Sequence, residues 1–223
     1  LKPETLAANA LGWIDEKTAA IVPAIHPSTT FLRDADNSYD TTGRVYSRAD
    51  NPTYDQVEAL LNTLEGGQGA LVFSSGMAAA TALFMALKPG DHVVAPSVMY
   101  WSLRNWLIDF AKPWGLDVEF VPSADMDALA QAVRPGRTAL VWIESPSNPM
   151  WDVTDIQAAS DIAHAAGARL AVDSTSASPV ITRPLAFGAD YVMHAGTKYL
   201  NGHSDVIAGA LVTAAALGAS VTA

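Results

Sequence analysis

Cysteine is absent from the 223 residues. That removes disulfides, thiolate metal ligands and a cysteine nucleophile together, and it fits a reducing, cytoplasmic location. Charge is also scarce. Charged residues make up 16% of the chain and acids outnumber bases, for a formal net charge of -10. No basic cluster offsets this, and an acidic surface repels phosphate backbones, so nucleic acid is not an expected partner. Long apolar runs are missing too. The longest uncharged stretch, Ile207 to Ala223, is rich in Ala, Gly and Thr and falls at or below membrane-spanning length. It reads as a strand with an ill-defined end, and no membrane partner is expected. The first residues carry no basic segment followed by an apolar one, so no secretory leader is expected. Two histidines at H-x-x-x-H spacing are lacking, which leaves no metal site. The "VFSSG" around Ser74 lacks the first glycine of a nucleophile elbow, and "GGQG" precedes a strand instead of following one. No P-loop is present.

Half of the residues are apolar, enough for a sizeable core in one large domain. Residues 1–52 show weak periodicity and many turn formers. They read as an N-terminal arm that rests on a neighbouring subunit, because long loops are uncommon inside compact domains. Residues 53–213 alternate regularly. Thr53 and Gln56 form a T-x-x-Q capping box before the helical "VEALLNTLEGG". "ALVF" predicts a short buried strand and "GMAAATALFMAL" a helix. "HVVAP", "DVEFV", "TALVWIE", "RLAVD", "ADYVMH" and "VIAGALV" predict further strands. "WSLRNWLIDFAK", "DMDALAQAV" and "DIQAASDIAHAAG" predict the intervening helices. Residues 214–223 form an unassigned tail. The expected fold is α/β, a mostly parallel sheet flanked by helices. In such sheets ligands bind outside the carboxyl ends of the strands.

The strand ends carry the chemistry. After "ALVF", "SSGMAA" leads into a helix N-terminus, which either binds an anion or is simply capped by Ser74 or Ser75. After "HVVAP" comes Tyr100, a ring able to stack on a flat ligand or to pack at the rim. After "TALVWIE" comes Asn148 between prolines, a turn residue able to hold a ligand hydroxyl. "RLAV" ends on Asp173, a carboxylate that costs desolvation unless partnered by a cation, a cap or a hydrogen bond. "ADYVMH" leads to Lys198. A lysine desolvated among apolar groups has a lowered pKa and can form a Schiff base. Taken together, an anion cradle, a stacking ring, a carboxylate and a lysine match what pyridoxal phosphate requires.

"YSRADNPT", "LEGGQGALVFSSGMAA", "ESPSNP", "AVDST" and "HAGTKYLNGHSDVIAGALV" resemble the cystathionine gamma-synthase and beta-lyase family of trans-sulfuration enzymes. The resemblance runs from about Pro23 to Val212. It implies the large domain of the aspartate aminotransferase-like, fold type I transferases, with pyridoxal 5'-phosphate as cofactor and an amino acid as substrate. By the same resemblance, Lys198 holds the aldehyde and shuttles protons, and Asp173 pairs with the ring nitrogen. Tyr100 stacks on the ring and acts on the substrate amine. Gly76 and Met77 give backbone N–H groups to the phosphate, helped by Thr197. Asn148 lies near the cofactor hydroxyl or the substrate carboxylate. Tyr46 and Arg48 reach the phosphate of a neighbouring subunit, so a dimer is the minimum and a homotetramer is implied. The implied activity makes or breaks C–S bonds at the beta or gamma carbon. Ala195, Ser174 and the "YWS" at Tyr100 depart from the family's usual serine, asparagine and Tyr-Gly-Gly, and Trp101 points to an altered substrate preference. The family's smaller C-terminal domain has no counterpart in these residues. That leaves a non-catalytic cofactor-binding fragment or assembly module as the alternative.

Overall fold

The structure is a computed structural model and describes residues 2–216. Seven short aliphatic runs become strands: β1 (Gly69–Phe73), β2 (His92–Pro96), β3 (Asp117–Val121), β4 (Thr138–Glu144), β5 (Arg169–Asp173), β6 (Tyr191–His194) and β7 (Gly209–Thr213). They form one sheet in the order β1-β7-β6-β5-β4-β2-β3. β2 to β6 run parallel, and β7 lies antiparallel to both β1 and β6. The carboxyl ends of β1, β2, β4, β5 and β6 therefore share one edge, which the first residue of β7 also reaches. The helices are α1 (Pro3–Ala8), α2 (Pro52–Glu65), α3 (Gly76–Met85), α4 (Trp101–Trp106), α5 (Lys112–Trp114), α6 (Met126–Ala132), α7 (Ile156–Ala165) and α8 (Ser178–Ile181), with α2, α3, α6 and α7 packed on the sheet. The expected single helix from Trp101 is instead α4 and α5 joined by a π-helical stretch, Leu107–Ala111.

Strand periodicity sorts the core into two layers. Val93, Ala95, Leu140, Trp142, Ala171, Met193 and Leu211 face one side, with Phe84 of α3 and Leu103 of α4. Val94, Val141, Ile143, Leu170 and Val172 face the other, with Leu129 of α6 and Ile156 of α7. Successive strand side chains point to opposite faces. Glu144 thus continues the Leu140–Trp142 face and Asp173 continues the Ala171 face, on the same side of the sheet.

Two local expectations need correction. The capping box at Thr53 does not form. Pro52 occupies the first helical turn, where its missing N–H costs nothing, so the cap moves to Asn51, whose side chain accepts from Thr53 N–H at 2.8 Å. Thr53 Oγ1 instead accepts from His26 N–H at 2.9 Å and ties the arm to α2. β1 is not a buried strand but a half-buried edge strand, because no described strand pairs beyond it. Its outward Val72 N–H donates to the Glu58 carboxylate at 2.9 Å, which blunts the edge. α2 itself ends as its glycines predict, on Gly66 at φ 75°.

Phe84 is fully buried, its ring 5.3 Å from Trp142 and 6.0 Å from Trp106. Phe84→Ala is expected to lower the unfolding free energy by about 3–5 kcal/mol in urea denaturation. A loss below about 1 kcal/mol would contradict the packing described.

Candidate active site at the carboxyl edge of the sheet

β4 and β5 pair in register, so Glu144 sits directly opposite Asp173. Their α-carbons lie about 4.8 Å apart, the ordinary strand spacing. Both carboxylates are buried. Asp173 Oδ1 accepts from Thr175 N–H at 3.0 Å and from its hydroxyl at 2.5 Å. Among the described residues Oδ2 has no hydrogen-bond donor. Glu144 is engaged through both oxygens: Oε2 accepts from Tyr100 N–H at 2.7 Å and Oε1 from Asn148 N–H at 2.8 Å. Thr175 also reaches the next strand, its Oγ1 accepting from Ala195 N–H at 2.8 Å. One carboxylate pair thus ties together the loops after β2, β4, β5 and β6.

Below these loops the backbone is tightly packed. A Cβ on Gly209 would meet Ser75 O at 2.1 Å and Gly76 N at 2.8 Å, and a Cβ on Gly76 would meet Ala195 Cβ at 2.6 Å. Only glycine at both positions lets β7 and the β6 loop approach the start of α3. Ser75 caps that helix, accepting from Ala78 N–H at 3.0 Å, which settles which serine is the cap. The Gly76 and Met77 N–H groups have no acceptor among the described residues and lie in the first turn, where the helix dipole favours an anion. Thr197 stands beside them on the β6 loop, its hydroxyl bonded to the Ala208 backbone at 3.1 and 3.2 Å.

The edge therefore brings together Gly76, Met77, Tyr100, Asn148, Asp173, Thr197 and Lys198. Lys198 lies in the turn closed by its own N–H donating to Ala195 O at 3.0 Å. Its side chain is exposed, not desolvated as the sequence reading expects, because nothing in these residues covers that side of the edge. Tyr46 and Arg48 stay on the arm, with the Arg48 guanidinium 5.1 Å from the Tyr46 ring centre. No hydrogen bond or ion pair among the described residues joins either of them to this edge.

Sequence reasoning passes over three contributors. Glu144 ends an apolar strand as Asp173 does, and the same desolvation argument finds it in "TALVWIE". Thr175, two residues after Asp173, carries no signal of its own. The fully buried His194–Glu65 pair, Nε2 to Oε1 at 2.6 Å, joins the end of β6 to the end of α2 across 129 residues of sequence. No local pattern marks it.

The carboxyl edge of the sheet thus carries an amine, a half-engaged buried carboxylate and the N-terminus of α3. Residues 4–222 match the family of Cys/Met metabolism PLP-dependent enzymes, and the chain belongs to that family. It is 42% identical over 214 residues to a cystathionine gamma-synthase of Mycobacterium tuberculosis (strain ATCC 25618 / H37Rv), covering 95% of this chain and 54% of that protein. It is 39% identical over 214 residues to a cystathionine gamma-lyase of Bacillus subtilis (strain 168), covering 96% and 56%. Among solved structures, a cystathionine gamma-lyase from Lactobacillus plantarum complexed with L-serine superposes with a TM-score of 0.90 at 34% identity, over 96% of this chain and 55% of that one. A methionine gamma lyase from Micromonospora echinospora gives a TM-score of 0.88 at 38% identity, over 100% and 59%. The chain thus spans about half the length of the curated relatives it matches.

The residues present fit pyridoxal phosphate. Asp173 Oδ2 is an open acceptor on a buried carboxylate, suited to a cationic ring N–H. The glycine-packed start of α3 offers two N–H groups to an anion beside the Thr197 hydroxyl.

Burial, then the charge of Asp173, pushes the Glu144 carboxyl up to about 7, against the pull of its two N–H donors. Burial also raises Asp173, against its Thr175 hydrogen bonds and nearby His194. A group whose folded pKa lies above its unfolded value stabilises at low pH. For Glu144 that contribution is complete below about pH 4.5 and is lost as the pH rises through about 7. Buried His92 runs the other way, since burial lowers it and its cost appears as the pH falls below about 6.5. In the cofactor-free protein, Glu144→Gln should remove about 2 kcal/mol of the stability lost between pH 5 and pH 8. Urea denaturation across that range checks it, and parallel pH profiles for the two proteins would contradict it.

Proposed function

We propose that this chain forms the cofactor-binding part of a pyridoxal-phosphate enzyme that makes or breaks C–S bonds at the beta or gamma carbon of an amino acid. The observation that carries the reading is Asp173, buried at a strand end with one oxygen fixed by Thr175 and the other left open. Such a carboxylate is costly without a cationic partner. When bound, pyridoxal phosphate supplies an aldehyde that condenses with amines and a protonated ring that withdraws electrons.

The chain's own residues then take these roles. Asp173 Oδ2 accepts from the ring N–H and keeps that proton in place. Gly76 and Met77 N–H groups hold the phosphate, with Thr197 beside them. Tyr100 supports the ring face, and Asn148 holds the cofactor hydroxyl or the substrate carboxylate. Lys198 is the amine that would hold the aldehyde, and it would take the proton from the substrate alpha carbon. The four loops tied to Glu144 and Asp173 hold these groups in one arrangement, as proximity catalysis requires.

Residues 53–213 constitute the cofactor-binding domain in this reading, and residues 1–52 the arm. The arm leaves Ile21, Ile25 and Leu32 between 76% and 89% exposed, an apolar surface suited to a second copy of the chain. Tyr46 and Arg48 serve that copy's phosphate, which gives active-site-sharing dimers that pair into a tetramer. The residues described include no helix long and apolar enough to cross a membrane. The reading places the enzyme in the cytoplasm, in keeping with its lack of cysteine.

Added pyridoxal phosphate should produce a visible absorption band, and borohydride reduction should fix the cofactor on the peptide that contains Lys198. In the full-length enzyme, Lys198→Ala should lower C–S lyase or transferase activity at least about 100-fold. Retained activity, or label spread over surface lysines, would overturn the assignment.

A further inference from the structure

We propose that Glu144 is a positioning residue that clasps the Tyr100 and Asn148 loops and gives up a proton when the cofactor's ring-nitrogen cation docks on Asp173. The inference rests on the pyridoxal-phosphate reading above and adds a proton to the loop-tying role that reading gives Glu144.

The geometry has three parts. Glu144 holds two loops at once, accepting from Tyr100 N–H at 2.7 Å and from Asn148 N–H at 2.8 Å. It stands in register with Asp173 on the same face of the sheet. Both groups are buried, so two full negative charges side by side are costly without a cation. The charged and titratable groups that bear on the pair come from β6 and α2. His194 of β6 lowers the Asp173 pKa, and His194 in turn pairs with Glu65 of α2. The charge that acts on Glu144 itself is that of Asp173.

Without cofactor the pair therefore keeps a proton, held on Glu144, because the Thr175 N–H and hydroxyl both stabilise the Asp173 anion and the charge of Asp173 opposes ionisation of Glu144. A hydroxyl oxygen is a poor acceptor, so one of the two loop contacts is weak in that state. A ring N–H cation on Asp173 Oδ2 cancels the charge that opposes Glu144 ionisation. The Glu144 O–H bond then breaks, its electron pair stays on the carboxylate, and the proton passes to solvent. Both N–H groups now bond to a carboxylate, and charge-assisted bonds of this kind are about twice as strong as neutral ones. Cofactor docking thereby tightens the loops that carry Tyr100 and Asn148.

The test is isothermal titration of the full chain with pyridoxal phosphate in two buffers of different ionisation enthalpy, which counts protons released. At pH 6.5 the wild-type protein should release roughly one half to one proton per site more than Glu144→Gln, and the excess should vanish at pH 8.5. A second measurement uses only the wild-type protein, with an analogue that carries C–H in place of the ring nitrogen. That analogue should bind without the extra release. Equal proton counts for both proteins, or for both ligands, would overturn the proposal while leaving the cofactor reading intact. Should pyridoxal phosphate fail to bind the wild-type protein, the cofactor reading falls and this role falls with it.

Discussion

The pairing of β4 with β5 is the constraint on which the rest of the edge depends. In-register parallel strands leave Glu144 and Asp173 no choice but to face the same side as neighbours. Two buried carboxylates on paired residues repel, and each also loses hydration. The structure meets that cost with donors: Thr175 on Asp173, and the Tyr100 and Asn148 N–H groups on Glu144. Every one of those donors belongs to a loop that carries a candidate cofactor contact. Shifting the register of β5 by one residue would turn Asp173 to the opposite face and undo the four-loop arrangement at once.

A second constraint is steric. β7 is the one strand that runs against both of its neighbours, so its first residue, not its last, lies at the functional edge. That residue is Gly209, pressed against the carbonyl of Ser75. The same crowding sets Gly76 against Ala195. The family's usual serine at position 195 would add a hydroxyl there. In this chain the contact is apolar, and the Ala195 backbone is held through Thr175 instead. The start of α3, the β6 loop and the start of β7 are thus packed against one another at the N-terminal N–H groups of α3.

Much of this was legible in the residues. Alternating apolar runs and amphipathic stretches indicate the parallel sheet and its helices, because burial on both faces leaves few other patterns for such strands. The order of residues at strand ends indicates the edge chemistry, since topology brings all carboxyl ends together. What stayed hidden depends on contacts between distant positions. Pro52 moves the cap to Asn51, and the Thr53 hydroxyl is taken up by the arm that folds back on α2. The half-buried state of β1 follows from its place at the sheet edge, which its own five residues cannot encode. The His194–Glu65 pair joins elements far apart in the chain and has no local signature. Glu144 is the different case: the desolvation argument that singles out Asp173 applies equally at the end of "TALVWIE".

The arm gives the last step. It is held at its base by polar contacts: Arg44 pairs with Asp50 and Asp55, Asn51 binds His26 O and Ser47 Oγ, and Tyr54 binds Ser47 O. Several of its apolar residues are exposed, with Ile21 at 76%, Ile25 at 82% and Leu32 at 89%. Hydrophobic burial usually anchors such a segment, and much of that surface is unused here. The arm's position is therefore set by hydrogen bonds while its main source of burial energy remains unspent. Lys198 and the neighbouring Tyr199 are exposed at the cofactor edge in the same way, Tyr199 at 62%. An arm with outward apolar surface and an edge without cover are complementary deficits. In the proposed dimer one resolves the other: burial of the arm on a second copy brings Tyr46 and Arg48 to an edge that a single chain leaves open, and the Lys198 amine then gains the desolvation that its chemistry needs.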